Sequence, residues 1–151
     1  MPDYALPMAG GCRCDRVRFE ITAPPMMTLL CHCTGCQRMS GSAYSTTVMV
    51  PTDGFRVTKG EVVIGGIHGD QGRHHHCDWC KSWMFTTVVP EMGFTNVRAT
   101  LLDDAGWFAP FAQTYTSEGL AWAVPAGVPH SYAKFPEMAD FPKLLAEFAA
   151  R

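Results

Sequence analysis

Seven cysteines, at positions Cys12, Cys14, Cys31, Cys33, Cys36, Cys77 and Cys80, constrain this 151-residue chain more than any other feature. An odd number leaves one thiol over in a pure disulfide framework. The N-terminus, with an early Asp3, two prolines and neither a basic start nor an apolar run, does not read as a secretory signal. The expected compartment is therefore the cytoplasm, where reduced thiols persist, and metal is the better account of so many of them.

The spacing divides the seven into four and three. Cys77-Asp78-Trp79-Cys80 has the turn spacing that supplies two ligands of a tetrahedral structural zinc, and one pair is half a site. Cys12-Arg13-Cys14, preceded by Gly10-Gly11, is the natural partner: one intervening residue still lets two sulfurs converge, and the glycines allow an unusual backbone. Zinc there would staple two segments more than sixty residues apart. A dithiol redox pair at Cys77 and Cys80 is the competing reading, but that chemistry usually accompanies a βαβ pattern, which is absent. Buried thiols are the bland alternative for Cys12 and Cys14.

Cys31-His32-Cys33-Thr34-Gly35-Cys36 packs three thiols into six residues. Three protein ligands with a fourth position left for water or substrate is the pattern of a reactive zinc. His32 could close the set only by folding back between two ligands, so a histidine projecting beside the site is favoured. Zinc with three thiolates is formally −1, a weak activator of water, and suits a soft ligand; an incoming thiol would lose its proton on coordination. His74, His75 and His76 cannot all aim at one ion if they lie on a strand, because side chains alternate faces; a polar strand or loop is expected. Most of Trp83, Phe85, Trp107 and Trp122 read as core filling.

A net charge of −2 with scattered Lys and Arg offers no basic stripe for nucleic acid. No apolar run is long enough to span a membrane. With 47% hydrophobic and 17% charged residues, the length fits a single domain over residues 1–151. Val17, Phe19 and Ile21 alternate with charged residues, as in a half-buried strand. Further strands are expected over 43–50, 55–58, 61–64, 83–89 and 97–102, separated by Gly, Pro and Asp turns, with 65–72 the most loop-like stretch. The rhythm is mainly β. One short C-terminal helix is expected, with Asp140 as cap, Pro142 in its first turn, and Leu144, Leu145 and Phe148 on one face.

As an ordered set, the motifs resemble the glutathione-dependent formaldehyde-activating enzymes. They are Gly10-Gly11-Cys12-Arg13-Cys14 with Val17 and Phe19; Cys31-His32-Cys33 with Cys36, Arg38, Gly41 and Ser42; Cys77 with Cys80; Val97 through Leu102-Asp103-Asp104; and Pro110 and Trp122. The resemblance implies a β-tent fold holding two zinc ions, a structural one on Cys12, Cys14, Cys77 and Cys80 and a catalytic one on Cys31, Cys33 and Cys36. It implies a carbon–sulfur lyase that adds a small-molecule thiol such as glutathione to a small aldehyde such as formaldehyde, giving S-(hydroxymethyl)glutathione. The chain departs from the family's pattern at Lys81, where glycine is usual, at His76, where an aromatic is common, and at Gln113, in a stretch where many relatives carry histidine. Arg38, Arg73 and Lys81 are the cations near the cysteine motifs that could meet a thiol substrate's carboxylates. The alternative function is a non-catalytic zinc-stabilised binding module with both sites structural, which would need a fourth protein ligand at the second site. Thiol redox chemistry is a third.

Overall fold

The strand β4 (Ser45–Pro51) shows how the molecule is layered. Side chains alternate faces along a strand, and here Val48 and Val50 enter one hydrophobic core while Met49 enters another. The sheet that contains β4 is thus covered on both sides. The computed structural model describes residues 3–67, 72–88 and 91–151. Among these it places β1 (Met8–Gly11), β2 (Arg18–Ile21), β3 (Met27–Cys31), α1 (Thr34–Ser40), β4, β5 (Phe55–Lys59), β6 (Val62–Gly65), β7 (Gly72–Cys77), β8 (Trp83–Val88), β9 (Phe94–Val97), β10 (Ala112–Thr114), β11 (His130–Ser131) and α2 (Phe141–Ala149).

Eight strands form one open sheet in the order β11-β10-β3-β4-β9-β8-β7-β6, and three form a second in the order β1-β2-β5. Pairing is antiparallel except where β10 joins β3 and β11 in parallel, setting Thr114 opposite Cys31. The first core lies between the two sheets. Phe19 and Ile21 meet Val48, Met84 and Val97 there, and Phe55 bridges Phe19 (5.5 Å between centroids) and Phe85 (4.6 Å). The second lies between β3, β4 and α2, where Leu144 and Phe148, one helical turn apart, close over Met27, Leu29 and Met49. Burial on both faces explains why β3 reads as a nearly continuous apolar run.

The mainly β architecture and the C-terminal helix agree with expectation. Asp140 lies at the helix start, but its side chain makes no capping hydrogen bond, because it is already in the preceding 3-10 turn, Met138–Asp140. The strand expected over 97–102 ends at Val97; a 3-10 turn, Ala99–Leu101, follows and brings Leu102 beside Gly10. That approach is the reason for Gly10, which sits in ordinary strand backbone: a Cβ there would stand 2.5 Å from both the Leu101 carbonyl oxygen and the Phe19 ring. Of the loop expected over 65–72, Gly65 closes β6 and Gly72 opens β7, and residues 68–71 lie outside the described ones, as does Val89 of the strand expected over 83–89. The three histidines lie on β7: His75 stacks on Phe85 at 4.4 Å, and His74 shares a hydrogen bond with Thr86 Oγ1 at 2.9 Å. Trp83 and Phe85 are core residues, Trp107 is partly buried, and Trp122 departs from that role, being 81% exposed.

Candidate metal centres

The first sulfur group is built from two turns at the edge of the inter-sheet core. Cys12 and Cys14 lie in the turn that follows β1, and Cys77 ends β7 where the chain turns through Cys80 into β8. The four sulfurs lie within 4.8 Å of one another. Cys12 Sγ is 3.5 Å from Cys14 Sγ, which is 3.7 Å from Cys77 Sγ. Tetrahedral zinc–thiolate geometry places sulfurs about 3.8 Å apart, so the donor set is compatible with a zinc ion. All seven cysteines are free thiols.

Hydrogen bonds prepare these sulfurs to carry charge. The Val17 amide donates to Cys12 Sγ at 3.3 Å, and Cys80 Sγ lies 3.2 Å from Ser82 Oγ. Burial works against ionisation of Cys80, but the contacts with Ser82 and Cys14 prevail and hold its thiol down at about 5. Ser82 also ties the turns together, its Oγ accepting from the Arg13 amide at 3.1 Å.

The second group unites the end of β3 with α1. Cys31, Cys33 and Cys36 bring three sulfurs within 4.8 Å of one another. Cys33 is the N-cap of α1, and its sulfur accepts from the Cys36 amide at 3.3 Å. The helix ends at Gly41, whose φ of 62° is left-handed. A hydrogen bond from Cys36 pulls Cys31 down to about 5, while that bond and burial push Cys36 up; burial raises Cys33. The three thiols therefore lose their protons unequally.

His32 is not part of the trio. It is fully buried and turns toward β10, where Nε2 donates to Gln113 Oε1 at 2.9 Å; the Gln113 amide donates in turn to Ser131 Oγ and the Pro125 carbonyl. Among the described residues, no fourth Cys, His, Asp or Glu joins Cys31, Cys33 and Cys36. Gln113, marked as a departure from the family pattern, thus engages His32 Nε2, while His32 Nδ1 is buried without a hydrogen-bond partner.

The three cations named from sequence are dispersed. Arg38 is exposed in the last turn of α1. Arg73 lies on β7 and donates to the Gly72 carbonyl at 3.1 Å. Lys81 stands on the turn of the four-sulfur group, paired with Asp78 at 2.8 Å, with a left-handed φ of 57°. Sequence reasoning missed α1 and Glu118. Glu118 Oε1 accepts from the Thr34 amide (3.0 Å) and hydroxyl (3.1 Å), and Gln37 Nε2 donates to the Glu118 and His32 carbonyls. The available cue to α1 was Gly41, a C-terminal glycine closing one short run.

An open, mainly β sheet pair carrying one four-sulfur and one three-sulfur group defines a class of cysteine-rich proteins with two candidate metal centres. A crystal structure of a Rhodobacter sphaeroides protein shares the fold, with a TM-score of 0.53 and 18% identity over 64% of this chain and 88% of that one. The family model of the glutathione-dependent formaldehyde-activating enzymes matches residues 7–118, and the chain belongs to that family. Two relatives named for that activity, from Talaromyces marneffei and Penicillium rubens, are each 27% identical, over 82% and 74% of this chain. The aligned regions span 70% and 65% of those proteins' own lengths.

Proposed function

We propose that the chain is a single-domain zinc-dependent carbon–sulfur lyase acting on the thiol adduct of a small aldehyde, with glutathione and formaldehyde the leading pair. Family membership supports the substrate class. The observation that carries the reading is the three-sulfur group with no fourth protein donor among the described residues.

Cys12, Cys14, Cys77 and Cys80 would hold a structural zinc, and Cys31, Cys33 and Cys36 a reactive one. The reactive zinc supplies a soft acceptor that lets an incoming thiol give up its proton near neutral pH. The chain's own part is to present that acceptor rigidly. β3 is locked between β4 and β10, and α1 is held at both ends, so Cys31 and the Cys33–Cys36 turn keep a fixed relation. The sulfur of the thiol then forms a bond to the aldehyde carbon while the carbonyl oxygen takes up a proton; the reverse releases both. A reducing compartment, the cytoplasm, keeps the seven thiols available.

The binding-module alternative needs a fourth protein ligand, with His32 the first candidate; weighing against it are the commitment of His32 Nε2 to Gln113 and the absence of His32 from the group that the three sulfurs form. The test is to load the protein with zinc, add glutathione and formaldehyde, and follow adduct exchange by NMR. Acceleration over the uncatalysed exchange is expected. Its absence with glutathione and several other thiols would sink the enzymatic reading.

A further inference from the structure

Arg98 is the one Lys, Arg, Asp or Glu side chain that is buried among the described residues, at 7% exposure. Burying a guanidinium is unfavourable unless another charge answers it. Among the described residues no carboxylate pairs with Arg98. Its guanidinium carbon lies 4.2 Å from the centre of the Trp83 ring, its Nη2 donates to the Asn96 carbonyl at 3.3 Å, and its Nε is buried without a hydrogen-bond partner.

The groups able to answer that charge lie on the same face of the large sheet, and they are sulfurs. Burial draws Arg98 down to about 10, and Cys36 and Cys31 oppose that shift. The strand register explains the proximity. Val97 pairs with Val48 and faces the inter-sheet core, so Arg98, the next residue, faces the opposite side of the large sheet. Cys31 lies on that same side, by alternation from Met27 and Leu29, and pairs with Ser45 on the shared neighbour β4. Ser45 Oγ and Asn96 Oδ1, on β4 and β9, are also buried without partners.

We propose that Arg98 is the buried counter-charge of the Cys31–Cys33–Cys36 group and gives it a preference for an anionic fourth ligand, a thiolate, over a neutral one. This rests on the reading that the three sulfurs hold zinc. Three thiolates around a divalent ion leave one negative charge, a neutral ligand leaves that unchanged, and a thiolate makes it two. The guanidinium, charged at any working pH, offsets the second negative charge where water cannot. Arg98 is a positioning residue: it touches neither substrate in this account and acts through the charge of the site.

Cobalt(II) in place of zinc makes the test spectroscopic. The cobalt-loaded protein is titrated with 2-mercaptoethanol, which binds as a thiolate, and separately with imidazole, which binds neutral, and each affinity is read from the cobalt absorption bands. Arg98→Met is expected to weaken thiol binding about tenfold, the scale of one unit charge acting over about 12 Å at an effective dielectric constant of about 20, and to leave imidazole within twofold. Arg98→Lys should retain most of the thiol preference. Equal weakening of both ligands in Arg98→Met, or no change in either, overturns the proposal. The spectrum of the four-sulfur cobalt reports folding in the same sample, and Arg98→Gln supplies a second neutral side chain should Met not be tolerated. A wild-type chain that binds only one cobalt would overturn the metal reading, and the role of Arg98 with it; two bound cobalts with an unchanged ligand preference in the variants would overturn Arg98 alone.

Discussion

At the scale of single residues, Lys81 shows how a sequence departure translates into backbone energy. Its φ of 57° lies in the left-handed region, which costs a residue with a Cβ about 1–2 kcal/mol. Glycine escapes that cost, although it gives back some stability through the freedom of the unfolded chain. The ion pair lost with Lys81 joins two exposed side chains and contributes little. Lys81→Gly is therefore expected to stabilise the zinc-loaded protein by about 0.5–1 kcal/mol, measured by chemical denaturation. Arg98 shows the converse limit of sequence reasoning. A charge in a sequence predicts surface, and nothing local to Asn96-Val97-Arg98 signals that this side chain is buried against the Trp83 ring.

Among the elements, α1 depends most on its partners. It has seven residues and none is buried. A helix that short does not persist in water on its own account. What holds it is the Cys33 cap, the left-handed Gly41 and the two hydrogen bonds that Glu118 accepts from Thr34. Removing those two bonds by Glu118→Ala should cost about 1–2 kcal/mol and speed amide hydrogen exchange across 34–40, while the turns at Cys12 and Cys77 keep their protection. This dependence is why α1 was not legible. Thr34-Gly35-Cys36-Gln37 carries no apolar period, and its stabilising partner lies more than eighty residues away. β10 was missed for a related reason. It is three residues long, and its buried Gln113 and Thr114 look like surface until β3 and β11 are set on either side. The antiparallel strands with clear alternation, and the amphipathic α2, were legible because their pattern is local.

For the whole molecule, the proposed function gives the two sulfur groups unequal tasks. The four-sulfur group joins turns sixty-three residues apart, and Cys12 and Cys77 are part of the inter-sheet core. A structural zinc contributes about 10–16 kcal/mol of apparent binding free energy, comparable to the entire stability of a domain. Cys77→Ser is accordingly expected to leave the chain unfolded at room temperature. Cys33→Ser should instead lose the second metal and keep the fold, because serine is itself a good N-cap and preserves the start of α1. Circular dichroism together with the zinc content of the purified variants checks both outcomes. Equal loss of fold in the two variants would remove the distinction between a structural and a reactive site. The two pairs and the trio were readable from spacing, since cysteines a few residues apart can bring their sulfurs together. Which turn meets which is a property of the two sheets.

The parallel pairing of β3 with β10 also fixes an order of manufacture. Every residue of the four-sulfur group has been synthesised by Cys80, whereas the strand that covers the outer edge of β3 begins only at Ala112. At ordinary translation rates that interval is about two to six seconds. For that time a growing chain able to bind its first metal still shows the ribosome's surroundings an apolar strand with an unpaired edge, the kind of surface on which chains stick to one another. On the zinc reading proposed above, metal supply during synthesis bears on yield as well as on activity: the early staple shortens the tether on which that edge can swing.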